Sequence, residues 1–388
     1  MANPSLQIGN SNWAIKEDNL LGYSTAGTRF LPIPITMTRA SAGTRVNPQG
    51  LVETVELLGS ELVTNGDFAT DSNWTKGTGW TISGGKANND GSASGNSYLI
   101  NSQQTVVVGN TYRVEFTISN YTQGIVRVRA GTSLTPSFIS ANGTYIVYMV
   151  AASTETCRVQ GQNNFIGSID NVSVKESTKN DLARVDYTGS TSSLLVEPQR
   201  TNNLTASQDL TNSFWNTAST EFIVASTVLS PDGTTFGFKA IPNSVNTTHY
   251  VDYDYGFLSM PSGVEVTYSV FVKPFGNTMF QLASSTNFAG RFQNFKLTGD
   301  GIIGIGDVNG ATIKKIGNWY RCTITETTAG TSPRVLNVSY PGTTDLGRNP
   351  AFAGNSTDGV LLWGAQLEEG TFATSYIPNL STTSGSTV

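Results

Sequence analysis

The chain has 388 residues, enough for two or three domains, and its net charge of −5 with a sequence pI near 5.0 disfavours a nucleic-acid-binding surface. Charged residues make up only 13% and glycine is abundant at 40 residues, so short strands and turns are favoured over long helices. No apolar run approaches the about 20 residues that span a bilayer, and the first residues lack the pattern of a secretory signal. We expect an all-β protein that acts where it is made or leaves the cell by another route, such as lysis.

Residues 1–37 contain large apolar side chains without a helix or strand period. These side chains are Trp13, Leu20, Leu21, Tyr23 and Phe30. A disordered leader is the alternative, but so many apolar side chains in a short polar segment argue against it. We predict an extended N-terminal docking arm that packs on other copies of the chain or on a larger assembly.

Residues 38–60 and 177–206 are predicted to be β linker elements on either side of a domain. In the first, Asn47, Pro48 and Gly50 supply a turn between two short strands. In the second, a short apolar strand ends at Pro198.

Residues 61–176 show the strand pattern of a sandwich or barrel. In GNTYRVEFTI, apolar residues from Tyr112 to Ile118 alternate with polar ones. The pair Gly84-Gly85 predicts a hairpin after Trp80, and GSIDNVSVKE predicts a closing strand. Turn residues recur about every 8–12 residues, which is typical of an all-β domain.

Residues 207–380 repeat the landmarks of residues 61–176 in the same order. SQDLTNSFW matches NGDFATDSNW, GVEVTYSVFVKP matches GNTYRVEFTI, and IGNWYRCTI matches NGTYIVYMV. DGVLLWGAQL matches the closing strand of the first domain. The repeat predicts a second domain of the same kind, followed by a flexible tail at residues 381–388.

The stretch GVLLWGAQLEEGTFATSYIP predicts the closing strand of the second domain. Its apolar side chains have a period of two: Leu361, Trp363, Ala365 and Leu367. Gly364, Gln366 and Glu368 occupy the other parity. We therefore expect one face on the core and the other in water.

Three motifs stand out: TRASAGTRVNPQGLVE, ARVDY…SLLVEPQRTNNL…SFW, and GVLLWGAQLEEGTFATSYIP. Together they resemble a recurring arrangement in virion proteins of tailed bacteriophages, including tail fibres, adhesins and capsid-surface proteins. The first two normally lie close together, whereas here residues 61–176 separate them. That segment resembles carbohydrate-binding-module-like jelly rolls. The resemblance implies two jelly-roll β-sandwiches, the first inserted into a linker of the second, with residues 38–56 and 181–203 paired in space.

The resemblance also implies a function. We expect a non-enzymatic virion structural protein, a capsid- or tail-attached fibre or decoration protein made in the host bacterial cytoplasm. Its arm would bind other virion proteins, and a homo-trimer is expected, with no nucleic-acid or membrane partner. An adhesin for bacterial surface polysaccharide and a purely structural connector are both open, and a polysaccharide depolymerase is the alternative.

Sugars stack on exposed aromatic rings and bond to amide and carboxyl groups. In the first domain the candidates are Trp74, Tyr98 and Tyr121. In the second, Tyr250, Asp252 and Asp254 share one face of a strand. The alternative is that these aromatic rings pack in a core or against a neighbouring subunit.

A structural calcium ion is implied only by the resemblance, since jelly rolls of the carbohydrate-binding type often hold one between the first and last strands. The matching positions are Asn65, Asp67 and Asp170, and carbonyl groups would complete the shell. Asp67 capping a turn is the alternative.

No catalytic constellation is evident. His249 is the sole histidine, and the HExxH, GxSxG and phosphate-binding glycine motifs are missing. Cys157 and Cys322 share strand parity with apolar neighbours, so we expect buried free thiols, with a disulfide as the alternative. We expect no enzyme activity, no catalytic residues and, apart from the calcium ion, no cofactor.

Overall fold

The computed structural model describes residues 13–16, 19–23, 30–32, 43–379 and 386–387, leaving out residues 132, 135–137, 180, 181, 183, 189, 190, 219, 254–259, 286–289 and 331–333. Across these ranges the regular structure is entirely β, which confirms the all-β prediction. No helix within them could cross a membrane.

Two compact units divide the chain. The inserted unit comprises residues 56–179, and the host unit comprises residues 1–55 and 180–388. The inserted unit is longer at both ends than the predicted domain 61–176. The reason is an additional strand, Leu57–Glu61, which pairs with the last strand of the unit as far as Thr178.

The described parts of the N-terminal region form a three-stranded antiparallel sheet of β1 (Trp13–Lys16), β2 (Asn19–Tyr23) and β3 (Phe30–Pro32). The predicted arm therefore contains paired strands. The side chains of the five predicted docking residues lie outside the part of the chain that the structure describes. A hairpin of β4 (Thr44–Val46) and β5 (Val52–Thr54) follows. Asn47 forms its turn, since the side-chain oxygen accepts from two turn amides at 3.0 and 2.9 Å.

The described residues of the inserted unit form nine strands. They are β6 (Leu57–Glu61), β7 (Trp74–Lys76), β8 (Trp80–Ser83), β9 (Lys86–Asp90), β10 (Ser97–Thr105), β11 (Thr111–Ala130), β12 (Ser133–Leu134), β13 (Gly143–Val150) and β14 (Thr156–Thr178). The hairpin β8–β9 turns at Gly84 and Gly85, both with positive φ, where glycine was predicted to turn the chain.

The long strands β11 and β14 contribute to both layers of the inserted unit. The first half of β11 pairs with β13 and the second half of β14, whereas residues 125–130 pair with the first half of β14. The register shifts between these halves, and Asn120, Gly124, Asn163 and Asn164 there have positive φ. Asparagine and glycine tolerate this conformation. The strand pair bends at these residues and passes from one layer to the other.

One core lies between the two layers. The first layer (β8, β9, second half of β14, first half of β11, β13, with β6) contributes Tyr112, Val114 and Phe116. The second layer (β7, β10, first half of β14, second half of β11, β12) contributes Leu99 and Val128. Alternate residues of β11 are buried in both halves, which is the pattern of a jelly-roll sandwich.

The two ends of the inserted unit meet in the first layer. Leu57 and Thr178 are register partners in β6 and β14. The Glu56 carboxylate accepts hydrogen bonds from the Tyr148 hydroxyl at 2.9 Å and from the Ser177 hydroxyl at 2.7 Å. These contacts hold the entry and exit of the unit side by side.

After the insertion, the described part of the host unit continues with eighteen strands. They are β15 (Val185–Thr188), β16 (Thr191–Leu194), β17 (Thr201–Asn202), β18 (Trp215–Ala218), β19 (Thr220–Leu229), β20 (Phe236–Pro242), β21 (Thr247–Thr248), β22 (Tyr250–Tyr253), β23 (Glu265–Phe275), β24 (Met279–Ser284), β25 (Phe292–Lys296), β26 (Ile302–Gly306), β27 (Gly310–Ile316), β28 (Trp319–Thr327), β29 (Val335–Tyr340), β30 (Ala351–Phe352), β31 (Gly359–Glu369) and β32 (Ser386–Thr387).

Two six-stranded sheets, β18-β22-β29-β24-β25-β26 and β19-β20-β31-β23-β28-β27, form the host sandwich. Phe280 and Leu282 from the first sheet share a core with Val270 and Leu362 from the second. The second sheet repeats a layer of the inserted unit, since β28-β23-β31-β20-β19 has the same order as β13-β11-β14-β9-β8. Three of the four sequence landmarks occupy equivalent strands of these two layers, β11 with β23, β13 with β28 and β14 with β31. The first landmark ends at Trp74 in β7 and at Trp215 in β18, which lie in the other layer of each sandwich.

The side chains of strand β31 are distributed between core and surface differently from the prediction, on both faces of the strand. Leu361 and Trp363 pack outside the sheet, whereas Ala365 and Leu367 pack in the sandwich core. The register with β23 shifts here, and Gly364 has φ +62°, so a bulge reverses the side-chain parity. The polar parity expected in water, Gln366 and Glu368, is fully buried because residues 370–379 cover that face.

Candidate functional site

The segments that carry the three phage-like motifs converge on the outer face of the second host sheet. Arg184 Nη1 donates to Glu197 Oε2 at 2.9 Å, and the Ser375 hydroxyl donates to the same oxygen at 2.7 Å. The Val46 amide donates to Asp186 Oδ1 at 2.6 Å. Thus residues from 44–46, 184–197 and 375 form one network, as the resemblance implied for the first two segments. The Arg184 and Glu197 side chains are 8% and 1% exposed, so this network stabilises the fold.

Two more buried charged residues, Arg321 and Glu368, lie nearby on the same sheet. Arg321 donates to the Thr374 carbonyl at 2.6 Å and to the Ser269 hydroxyl at 2.8 Å. Burial lowers the pKa of Arg321, and the Glu368 carboxylate opposes that shift. Glu368 accepts from the Thr374 amide at 3.0 Å and hydroxyl at 2.7 Å, and burial raises its pKa. These groups bond to the covering segment rather than to solvent.

The described candidates in the host unit, Tyr250 and Asp252, lie against protein. Asp252 on β22 is fully buried, and its Oδ2 accepts from Arg334 Nε at 2.7 Å and also from Nη2. Tyr250 packs against an apolar cluster that includes Met279 and Tyr340. Asp254 lies outside the described residues. The polar ligand face predicted on this strand is therefore occupied at Asp252 by an ion pair.

Two aromatic candidates of the inserted unit pack against its core, Trp74 buried and Tyr121 half-buried. Trp74 is 8% exposed, its Nε1 donates to the Asn65 carbonyl at 2.9 Å, and its ring lies 5.0 Å from that of Phe68. Tyr121 lies in the bend of β11, where its ring contacts Phe165 and its hydroxyl donates to a turn carbonyl at 3.0 Å. Trp74 presents no open ring face to a sugar, which differs from its predicted role.

The predicted calcium ligands are bonded to nearby backbone. Asn65 donates from Nδ2 to two loop carbonyls at 2.8 and 2.9 Å. Asp67 and Asp170 each accept from a nearby amide, at 3.4 and 2.7 Å, in keeping with a turn-capping role for Asp67. Over the described ranges no group of three or more His, Cys, Asp or Glu side chains is arranged for a metal ion.

The sole histidine and both cysteines are buried. His249 is 1% exposed, with Nε2 at 3.0 Å from the carbonyl oxygens of Val245 and Phe352. Cys157 and Cys322 are unbridged and lie in different units. Burial raises the pKa of Cys157 to about 12, so its thiol is protonated at neutral pH.

Tyr98 lies, half-buried, on the outer face of the second layer of the inserted unit. Strands β10, β14 and β11 are neighbours in the second layer, and Tyr98, Gln160 and Arg127 are opposite one another across them. All three alternate with core residues, so they lie on the outer side of the layer. Tyr98 and Arg127 are half-buried there, and Gln160 between them has no exposed surface. With strands about 4.8 Å apart, the row spans roughly 10 Å and combines an aromatic ring, an amide and a guanidinium group.

Two more arginines occupy the next row of the same face. Arg129 and Arg158 are register partners in β11 and β14. Arg129 Nε donates to Gln160 Oε1 at 2.8 Å, and its guanidinium carbon lies 5.7 Å from the Tyr98 ring centroid. We call these five outward residues the Arg–Tyr face: Tyr98, Arg127, Arg129, Arg158 and Gln160.

A cavity of about 340 Å³ lies beside this face. Phe138 lines it and is 63% exposed. The Arg127 guanidinium lies over the Phe138 ring at 4.8 Å, which connects the cavity to the Arg–Tyr face. Tyr145 forms another wall, and burial raises its pKa. The face and cavity together offer apolar surface bordered by hydrogen-bond donors, as ligand sites commonly do.

Tyr98 was predicted as a glycan-binding residue from its aromatic ring among small polar neighbours, whereas the other members of the face were not predicted. Their signal was present in IVRVRA, where Arg127 and Arg129 alternate with core valines. Gln160 carries no local signal, because its place beside Tyr98 depends on the pairing of β10 with β14.

No family model and no curated protein matches the chain. Among solved structures, it is similar to the N-terminal CBM22-1–CBM22-2 tandem domain of Xyn10C from Paenibacillus barcinonensis. The two chains are 10% identical, and the match covers 86% of this chain and 100% of that one with a TM-score of 0.27. At this TM-score, the evidence for β-sandwich domains remains the strand order of the protein itself.

Proposed function

We propose that this protein is a non-enzymatic component of a bacteriophage virion surface whose inserted unit binds glycans on the Arg–Tyr face. The observation that carries the glycan part is the row Tyr98–Gln160–Arg127. A sugar ring can stack on the Tyr98 ring with its apolar face, while its hydroxyl oxygens accept from the amide and guanidinium groups. The row is as wide as a short oligosaccharide and lies on rigid strands.

The virion part of the proposal is supported by the three motifs. In their phage relatives, the first two motifs lie close together, and residues 44–46 and 184–197 are in contact here. The N-terminal region would attach the protein to capsid or tail proteins as part of a trimer. Several copies on one particle would convert weak contacts at single faces into strong overall attachment.

Substitution of Tyr98 by Ala tests the glycan part. We expect binding of the full-length protein to a bacterial surface polysaccharide, selected on a glycan array, to weaken at least about tenfold because the stacking ring is lost. Phe236→Ala is the matched control, since it removes a ring that is 48% exposed from the host unit. An array on which the wild-type oligomer binds no glycan would refute the proposed binding function.

Deletion of residues 1–37 tests the virion part. We expect the truncated protein to fold but to be missing from purified particles. Normal incorporation would show that this region is not the attachment site. The depolymerase alternative predicts that the protein releases reducing ends from the bound polysaccharide, and we expect none.

A further inference from the structure

We infer that the Arg–Tyr face selects anionic glycans, those that carry carboxylate, sulfate or phosphate groups. The inference rests on the proposed glycan binding and names the ligand class of the same face. It follows from the charge of the face, from a buried donor within it and from the geometry of its guanidinium groups.

The face concentrates positive charge in a unit with little net charge. Three of the four arginines between residues 56 and 179 lie on it: Arg127, Arg129 and Arg158. Within these rows the one described acidic partner is Glu155, which bonds to Arg158 Nη2 at 2.7 Å. Guanidinium groups thus outnumber the described carboxylates in these rows, since Arg129 and Arg158 alone share the one carboxylate of Glu155, and the face carries an excess of positive charge. An anionic ligand would be attracted to this excess, whereas a neutral sugar would gain nothing from it.

Gln160 supplies the second observation. The residue has no exposed surface, and its Oε1 accepts from Arg129. Its Nε2 has no hydrogen-bond partner among the described residues. A buried donor without an acceptor is costly. An acceptor oxygen from a ligand would satisfy it, and the position between Tyr98 and Arg127 places that oxygen beside a stacked sugar.

The guanidinium groups have the geometry that anion binding requires. Arginine presents planar N–H groups that match the two oxygens of a carboxylate, or those of sulfate and phosphate. Arg129 and Arg127 are held against the rings of Tyr98 and Phe138 at 5.7 and 4.8 Å. Because stacking restrains these side chains, less conformational entropy is lost when a ligand binds.

A nucleic acid is the competing polyanion, and the rest of the chain disfavours it. The net charge is −5, and the cluster is confined to one face of one unit instead of following a long groove. A phosphate chain would therefore extend from this cluster into a region without matching charge. A glycan with isolated anionic groups fits a cluster of this size.

The test uses full-length protein on polysaccharides printed in pairs, each anionic polymer beside its carboxyl-reduced, desulfated or dephosphorylated form. We expect at least about tenfold stronger binding to one or more anionic members than to their neutral forms. Binding should weaken as added salt shortens the Debye length from about 10 to about 3 Å. Arg158→Gln and Arg127→Gln should each remove most of this preference. Lys86→Gln, which removes a positive charge from β9 in the first layer, should not.

The outcomes separate the two proposals. Equal binding to anionic and neutral forms would overturn the inferred selectivity while leaving glycan binding intact. Binding to none of the printed glycans would overturn both. Tighter binding to a single-stranded oligonucleotide than to every glycan would overturn the inference in favour of a nucleic-acid ligand. Loss of the preference in Arg158→Gln with an unchanged unfolding temperature would support a direct role for that side chain.

Discussion

Removing the charge of Glu197 is expected to destabilise the host unit by about 3–5 kcal/mol, the usual cost of breaking a buried ion pair. The Glu197 side chain is 1% exposed and accepts from Arg184 at 2.9 Å and from the Ser375 amide and hydroxyl at 2.9 and 2.7 Å. In Glu197→Gln, an amide donor replaces one acceptor oxygen. Arg184, itself 8% exposed, loses its counter-charge.

Hydrogen exchange measured at increasing urea concentrations reports the stability of each unit separately, and we expect faster exchange in β31. In thermal unfolding, we expect the melting temperature of the host unit to fall by roughly 10 °C, at about 2–4 °C per kcal/mol. Peptides from β14 serve as an internal reference, because the network lies wholly outside the inserted unit. Their exchange should be unchanged.

The control removes both charges at once. Arg184→Met combined with Glu197→Leu should recover part of the lost stability, since no unpaired charge remains buried. A single substitution that costs less than about 1 kcal/mol would refute the reasoning, because that is the value of a solvent-exposed pair. A double variant no more stable than Glu197→Gln would refute it too.

Two further predictions concern the inserted unit and the thiols. Gly124→Ala should lower the free energy of unfolding by at least about 3 kcal/mol, because at φ +86° a Cβ would lie 2.4 Å from Phe165 Cα. Gly85→Ala has open space around it and should lower the free energy of unfolding by only about 1–2 kcal/mol. Equal urea midpoints for the two variants would contradict this. Cys157 and Cys322 should resist a thiol reagent at pH 8 until the protein unfolds, because burial raises the pKa of both; rapid reaction of the native protein would contradict their burial.

Local patterns were sufficient to predict much of the fold. The alternation from Tyr112 to Ile118 and the Gly84-Gly85 turn both correspond to observed strands. The parity of β31 was not predictable in the same way, because the bulge at Gly364 depends on its register with β23, a strand about ninety residues earlier in the chain. Burial of Glu368 likewise depends on residues 370–379, whose position over that face follows from tertiary contacts and not from a local alternation of side chains.

The candidate site was predictable only in part, for the same reason. Trp74, Tyr98 and Tyr121 are all aromatic residues among small polar neighbours. The structure separates them through strand pairing, which buries Trp74 beside Phe68 and leaves Tyr98 on an outward row. Sequence alternation identifies which side chains share a face of one strand, whereas a binding face is assembled from several strands.

The adjacency of Leu57 and Thr178 has a consequence for how this protein came to exist and how it folds. Register partners in an antiparallel pair are about 5 Å apart, so the whole insertion joins the host chain like a short loop once it has folded. Its length then adds little to the entropic cost of closing the host sandwich. Such a domain can be exchanged for another with equally close termini. If the chain is a virion component as proposed, exchange would give the virion a new surface specificity without altering the scaffold that carries it.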